Sequence, residues 1–484
     1  MTTKYVSTRG GISPVEFDEA VLQGFAPDGG LFVPESIPKV SHQDLKDWAT
    51  LKFPDLAFEL LSLFIDRSVI PADDLKRLIQ DSFCSFEHPD VIDIVPCDDH
   101  GKTFVMELFH GQTLSFKDVA MGFLINVMDY FLQRRKKHLN IVLATTGDTG
   151  PAAAWASANK KTIDCWALYP RGMISEQQER QMTTLNAPNV HPVGVENCPD
   201  GGDDLDLVVA DLFADKGLKQ KLHLSSVNSI NWCRVMVQAV HYFYGYYRVV
   251  DQPGDEVVFS VPSGAFGNLF GGYLARSMGL PVHTFICANN VNKALHTAFS
   301  EGLFAKEDLV QTLSSAIDIV VPYNFWRFLY FSIGGDAEKL KCMMDAFSEN
   351  CAVKLDTQTM ASIQNGFKSA SIDDQETSDT IKRTFEQRDG YLLDPHTAVA
   401  VAASKRLEYS LPKDCKIICL ATAHPAKFPD IIKQVLGSEN PLPEQAKHHS
   451  LESAAKVCQQ LRICDLKTLQ FALVEAIESE MRKR

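Results

Sequence analysis

Ile141-Val-Leu-Ala-Thr145-Thr-Gly-Asp-Thr-Gly150-Pro151-Ala-Ala-Ala-Trp-Ala156 reads as three pieces in a fixed order. The uncharged, β-branched run at its start has the character of a strand buried on both faces. Glycines follow at once, and Pro151 then stands where a helix tolerates proline best, at its start. The same order recurs at Val257-Val-Phe-Ser-Val261, then Pro262-Ser-Gly-Ala-Phe-Gly-Asn268, then a helix-compatible stretch from Leu269 to Arg276. Three more short apolar runs, Thr162–Tyr169, Val282–Cys287 and Lys416–Ala421, alternate with helical stretches. Such alternation predicts an α/β fold of parallel sheets covered by helices. Ligands of such sheets bind beyond the carboxyl ends of the strands, so chemistry is expected in the loops that follow them.

Outward from these strands the pattern changes at both ends. Residues 1–92 open with Phe25-Ala-Pro-Asp-Gly-Gly-Leu-Phe-Val-Pro34 and then show helical periodicity over Asp44–Leu51, Ala57–Phe64 and Leu75–Phe83. They read as a small, mainly helical N-terminal domain. Residues 93–430 carry the strands, as an α/β region of two subdomains with the site between them, and 431–484 read as a helical tail with an apolar period over Leu466–Ile477.

Composition excludes several classes. A formal charge of −14 without long blocks of like charge argues against nucleic acid as the partner. There is no run of eighteen apolar residues, and Met1-Thr-Thr-Lys-Tyr-Val-Ser-Thr-Arg-Gly10 lacks the apolar stretch of a secretory signal. A cytoplasmic protein with no membrane partner is expected. Among twelve scattered cysteines, the close pairs Cys415/Cys419 and Cys458/Cys464 lack the second pair or nearby histidines of a zinc site, so reduced thiols and no metal are expected.

The two glycine loops are candidate anion cradles. Glycine lets a backbone approach a ligand, and the helix that follows presents free N–H groups and partial positive charge. One such loop is most often only a tight turn, but two in one chain suit a cofactor phosphate and a substrate carboxylate. Gly111-Gln-Thr-Leu-Ser-Phe-Lys-Asp118 sets Lys117 and Asp118 among apolar residues just before a helix expected near Val119–Phe123. A lysine is ordinarily a solvated surface group, whereas a desolvated one loses proton affinity and becomes a nucleophile.

This octapeptide, the two loops and Thr422-Ala-His-Pro-Ala-Lys-Phe428 together resemble the threonine synthase family of pyridoxal-phosphate (PLP) enzymes, and within it the threonine synthase-like 2 branch. Tyr5-Val-Ser-Thr-Arg-Gly10, Ala26–Pro34, Ser229-Ile-Asn-Trp-Cys-Arg234, Asn324-Phe-Trp-Arg327 and Asp394-Pro-His-Thr-Ala398 extend the resemblance over most of residues 1–430, in the family's order. The resemblance implies fold type II, which is tryptophan synthase β-like, with PLP as cofactor. It implies Lys117 as the lysine that binds PLP covalently and later moves protons. Gly264, Ala265, Phe266, Gly267 and Asn268 are implied around the cofactor phosphate, with Thr422 at the ring nitrogen. A nitrogen without a carboxylate partner stays unprotonated, which suits elimination and replacement. Thr146, Gly147, Asp148 and Thr149 are implied at the substrate carboxylate, and Arg234 and Arg327, with Arg9 behind them, at the substrate phosphate. His396 and His424 lie in family motifs and are taken as structural.

The implied substrate is a small phosphorylated amino acid, and a homo-oligomer is compatible with the sequence. Two departures bear on the product. Ala265 stands where the family usually has Asn, and Tyr323 and Trp326 stand where Ser and Glu are usual. Loss of polar groups that would place a water favours a phospho-lyase, which converts O-phosphohomoserine, and O-phosphothreonine as a second candidate, to 2-oxobutyrate, ammonia and phosphate. The alternatives are a true threonine synthase and a catalytically silent binding or signalling protein on the same fold.

Overall fold

A computed structural model describes residues 3–484. Its frame is two sheets. One contains Arg462–Asp465, Val190–Glu196, Ile163–Pro170, Leu139–Ala144 and Leu224–Ser225 in that order, all parallel. The other runs Phe367–Ser371, Val282–Asn289, Val257–Pro262, Lys416–Ala421, Thr103–Glu107 and Asp93–Pro96, with only Asp93–Pro96 antiparallel to its neighbour. Every residue of Ile163–Pro170 and of Val257–Pro262 is buried, because helices cover both faces of each sheet.

The chain order of the second sheet builds the site. Lys416–Ala421, made late, inserts between Val257–Pro262 and Thr103–Glu107. Its end is then tied to a loop made three hundred residues earlier: Leu108 N donates to Ala421 O (3.0 Å) and Phe116 N to Thr422 O (2.8 Å). Thr422 is thereby fixed beside Lys117, the first residue of the helix Lys117–Arg135. That helix buries residues on all sides and packs on Ala72–Phe83, Thr149–Ser157 and Trp232–Val249. It therefore lacks the one-sided apolar stripe from which a helix boundary is read.

The N-terminal segment contributes Phe17–Gln23, His42–Asp47, Phe53–Ser62 and Ala72–Phe83, and an antiparallel pair of strands, Tyr5–Ser7 and Phe32–Pro34. Its apolar side chains belong to the same continuous core as the catalytic region. Phe17 meets Phe131 edge-on at 6.4 Å, Phe53 meets Tyr244 at 5.4 Å, and Tyr5 lies 6.0 Å from Trp232. The expected helical tail also holds a strand. Arg462–Asp465 extends the first sheet, after which Leu469–Arg482 buries Leu469, Leu473, Ala476 and Ile477 on one face. A second tie joins this segment to the N-terminal one, where His448 Nε2 and Glu87 Oε2 lie 3.1 Å apart. Among the described residues, no helix is long and apolar enough to cross a membrane, and every cysteine is free.

Candidate active site

The loops after Leu139–Ala144, Val257–Pro262 and Lys416–Ala421 converge on one cavity of about 250 Å³. Lys117, Thr146, Asp148, Thr149, Gly264, Ala265, Phe266, Gly267, Asn268 and Thr422, each read as a site residue, line it. Lys117 is surrounded by enough protein that burial, reinforced by the positive charges of Arg234 and Lys427 and opposed by Asp148, lowers its pKa to about 7. Its amine is thus largely neutral just above neutrality. Asp118, next in sequence, turns away from that role. Its Oδ2 accepts from Thr113 N (2.8 Å) and its Oδ1 from Thr113 Oγ1 (2.7 Å), and burial raises its pKa to about 6.

In the loop after Leu139–Ala144, Thr145 Oγ1 accepts from the N–H groups of Gly147 (3.1 Å) and Gly150 (2.9 Å), which closes the turn. Gly147 does not line the cavity. Its φ is +130°, and a Cβ there would lie 2.4 Å from Gln178 Nε2, so it serves the turn and the packing behind it. The N-cap side chain of Asp148 does not bond the start of the helix Thr149–Ser157; Thr145 Oγ1 takes the N–H of Gly150 and Pro151 has none, which leaves that of Thr149 as the donor there. Asp148, its N-cap residue, is buried and pairs with Lys427, with 2.7 Å between Oδ1 and Nζ. Burial alone would raise Asp148; Lys427 and His396 beside it outweigh that and hold it below the ordinary carboxylate range.

The loop after Val257–Pro262 carries no ionisable side chain. A Cβ at Gly264 would come within 2.9 Å of Ile317 Cα, so only glycine fits there. Phe266 adopts a left-handed φ of +62° at the N-cap of Gly267–Met278, again without a side-chain cap. A non-glycine residue is held in this conformation only at some energetic expense, here against Phe299, Phe325 and Phe328. Asn268 Oδ1 accepts from Tyr242 Oη (3.0 Å) and lies 2.9 Å from His241 Nε2, while its Nδ2 is buried without a partner. An orphaned donor at a helix start that its N-cap side chain does not cap is what an occupying phosphate would satisfy. With an amine poised near neutrality, the residues fit PLP.

The arginines are corrected. Neither Arg234 nor Arg327 lines the cavity. Arg327 is fully buried and spends its guanidinium on the protein: Nε donates to Phe32 O (3.1 Å), Nη1 to Ser229 O (2.9 Å) and Asn324 Oδ1 (2.6 Å), and Nη2 to Ile230 O. Asn324 in turn donates from N to Ala265 O (3.3 Å), so Arg327 backs the second loop instead of binding substrate. Arg234 Nη1 donates to Val227 O (2.8 Å), and burial lowers its pKa to about 10. Arg9 pairs with Asp345 at the surface (2.9 Å). His396 lines the cavity with both ring nitrogens engaged, Nδ1 on Asp394 Oδ1 (2.7 Å) and Nε2 accepting from Ala316 N (3.0 Å). His424 lies outside it; its Nδ1 accepts from Ala426 N (3.1 Å), and burial lowers its pKa to about 3.

Sequence reading missed three groups. Lys427 lies in the motif Thr422–Phe428, where nothing local marks a lysine as buried. Asp203 and Asp206, one turn apart on Gly202–Ala214, line the cavity, and burial raises them to about 6 and about 7. Asn228, Ser229 and Gln238 add polar groups to its wall. Of the three departures from the family pattern, Ala265 and Tyr323 line the cavity, whereas Trp326 packs in the core, 5.2 Å from Phe304 and 5.5 Å from Phe347.

Parallel sheets whose glycine loops and helix starts close around a desolvated lysine are the architecture of a fold type II PLP-dependent lyase. Comparison with known proteins agrees along the chain. A family described as pyridoxal-phosphate dependent enzyme matches residues 98–423, threonine synthase N terminus matches 4–83, and threonine synthase, C-terminal matches 397–471. The threonine synthase of Schizosaccharomyces pombe is 40% identical, with 90% of this chain and 89% of that protein covered. Threonine synthase-like 2 of Xenopus laevis is also 40% identical, with 89% of each covered, so identity does not separate the two branches. The crystal structure of yeast threonine synthase superposes with a TM-score of 0.91 at 36% identity over 99% of both chains. That of PLP-bound threonine synthase from Brucella melitensis superposes with a TM-score of 0.89 at 35% identity over 98% of this chain and 99% of that one. The chain belongs to the threonine synthase family. Membership in a family of enzymes leaves the silent binding protein without support.

Proposed function

We propose that this protein is a threonine synthase, converting O-phosphohomoserine and water to threonine and phosphate. The observation that carries the reading is the cavity in which Lys117, with a pKa lowered to about 7, lies between two loops suited to anions. Relatives named threonine synthase, matched over about nine-tenths of both chains, support the same reading.

When bound, PLP supplies a sink for the electrons left at Cα after proton removal. The protein's part is position and proton movement. Lys117 would hold the cofactor covalently, and its amine, with a pKa lowered to about 7, would take the proton from the substrate Cα and move protons at the neighbouring carbons. The backbone of Gly264–Asn268, with Asn268 Nδ2, would hold the cofactor phosphate, and Thr422 would serve the ring nitrogen. Thr146 and Thr149, with the backbone of the loop at Asp148 and the N–H that opens the helix Thr149–Ser157, would receive the substrate carboxylate. Ser229 and Tyr323, both in the cavity wall, carry hydroxyls that would partner the water that must add at Cβ.

A second reading is favoured by Ala265, which leaves an apolar methyl in the cavity wall at a position where the family pattern has an amide. A poorly placed water would let the unsaturated product leave and hydrolyse to 2-oxobutyrate and ammonia. Incubating holoenzyme with O-phosphohomoserine and measuring phosphate, threonine and 2-oxobutyrate together decides between them. Threonine equal to phosphate is expected; 2-oxobutyrate equal to phosphate would replace this reading with the phospho-lyase.

A further inference from the structure

We propose that Lys427 is a positioning residue that neutralises Asp148, so that the loop Thr145–Gly150 can receive a substrate carboxylate. The inference rests on the assignment of that loop proposed above. Asp148 sets a carboxylate inside the same loop that must accept another, and the two would repel at short range. Lys427 removes the conflict from behind. Its side chain is fully buried, and its Nζ lies 2.7 Å from Asp148 Oδ1 and donates to Thr113 O at 2.9 Å. Gln178 Nε2 donates to the same Oδ1 at 3.0 Å. If the contact were needed only to join the two sheets, neutral side chains would make it without burying two charges, and buried ion pairs give little net stability.

The arrangement also links both halves of the site. Thr113, whose carbonyl receives Lys427, is the residue that holds Asp118 beside Lys117. Lys427 therefore sits where the loop before Lys117, the loop of Asp148 and the turn after Thr422 meet. The charged and titratable groups around Asp148 are Lys427 and His396, with Lys117 across the cavity. Of these charged and titratable groups, Lys427 is the one bonded to it.

The test uses holoenzyme of the wild type, Lys427→Met, Asp148→Asn and the double variant. L-2-aminobutyrate, which has an amine and a carboxylate but no phosphate, is titrated and its binding read from the change in cofactor absorbance. Lys427→Met should bind it ~30-fold more weakly at pH 8, the order expected for like charges about 5 Å apart at an intermediate effective dielectric. The weakening should deepen as pH rises, because the stranded carboxyl of Asp148 is then ionised. Asp148→Asn, which leaves the ammonium uncompensated, should bind about threefold more tightly, and the double variant should recover to near wild type and lose the pH dependence. A double variant as weak as Lys427→Met, or an Asp148→Asn weaker than wild type, overturns the proposal. Should Lys427→Met fail to fold, Asp148→Asn and the double variant decide alone, since neither strands a buried anion. The readout precedes any loss of phosphate, so absence of turnover with O-phosphohomoserine would count against the proposed function and leave this inference measurable.

Discussion

The two glycine loops begin from similar sequence and end with opposite electrical character. The loop Thr145–Gly150 contains a carboxylate and is braced by a buried lysine; the loop Ser263–Asn268 contains no charge and is braced by a buried arginine that reaches it through Asn324 and Ser229. The first follows a strand of one sheet and the second a strand of the other. An uncharged cradle of N–H groups suits an anion that stays, as a cofactor phosphate does. A loop whose own charge is balanced suits an anion that must enter and leave at each turnover. Glycine spacing thus announces that an anion is held, while the bracing residue behind the loop tells which kind.

Lys117 serves both loops, so its loss should have the largest effect. Lys117→Ala is expected to abolish the absorbance band of the covalently held cofactor and to lower turnover by ~10³-fold or more; persistence of the band would mean that another lysine holds PLP. Arg327→Met should then break the second loop selectively. It strands the carbonyls of Phe32, Ser229 and Ile230, for a loss of at least ~3 kcal/mol in denaturant unfolding. PLP affinity should fall with it, whereas an Arg327 that bound substrate phosphate would raise KM and leave stability intact. Gly264→Ala pushes a methyl against Ile317 and should weaken PLP binding ~10-fold without changing the absorbance of the loaded enzyme. The smallest effect is one of pH. Only the neutral amine of Lys117 captures the cofactor, and its lowered pKa of about 7 means the neutral fraction rises through that value. Covalent capture by the apoprotein should therefore gain only about twofold between pH 7 and 9, where an unshifted lysine would gain nearly a hundredfold.

The strands that frame the site were legible because central parallel strands must be apolar on both faces. Arg462–Asp465 escaped notice because it is an edge strand whose residues are exposed or half-buried, so no apolar run marks it. The helix at Lys117 begins two residues before the expected Val119, since a helix buried all round has no periodic edge from which to count. Cofactor-loop residues were legible through glycine. The braces were not. Lys427 meets Thr113, 314 residues earlier, and Arg327 meets Phe32, 295 residues earlier; pairings at such separation leave no local mark in either segment. A guanidinium in a family motif looks like a ligand for phosphate, and only the backbone carbonyls around Arg327 show that its donors are already taken.

The edge strand Arg462–Asp465 has a further consequence during synthesis. Its partner Val190–Glu196 leaves the ribosome some 268 residues earlier, as the contact between Asn197 and Asp465 measures. At ordinary elongation speeds that interval lasts on the order of tens of seconds, during which one margin of the first sheet has its amide and carbonyl groups unmatched. The nascent chain is therefore open to unwanted strand pairing for most of its translation, and a chaperone that covers an exposed β-edge would act on this polypeptide chiefly in that window.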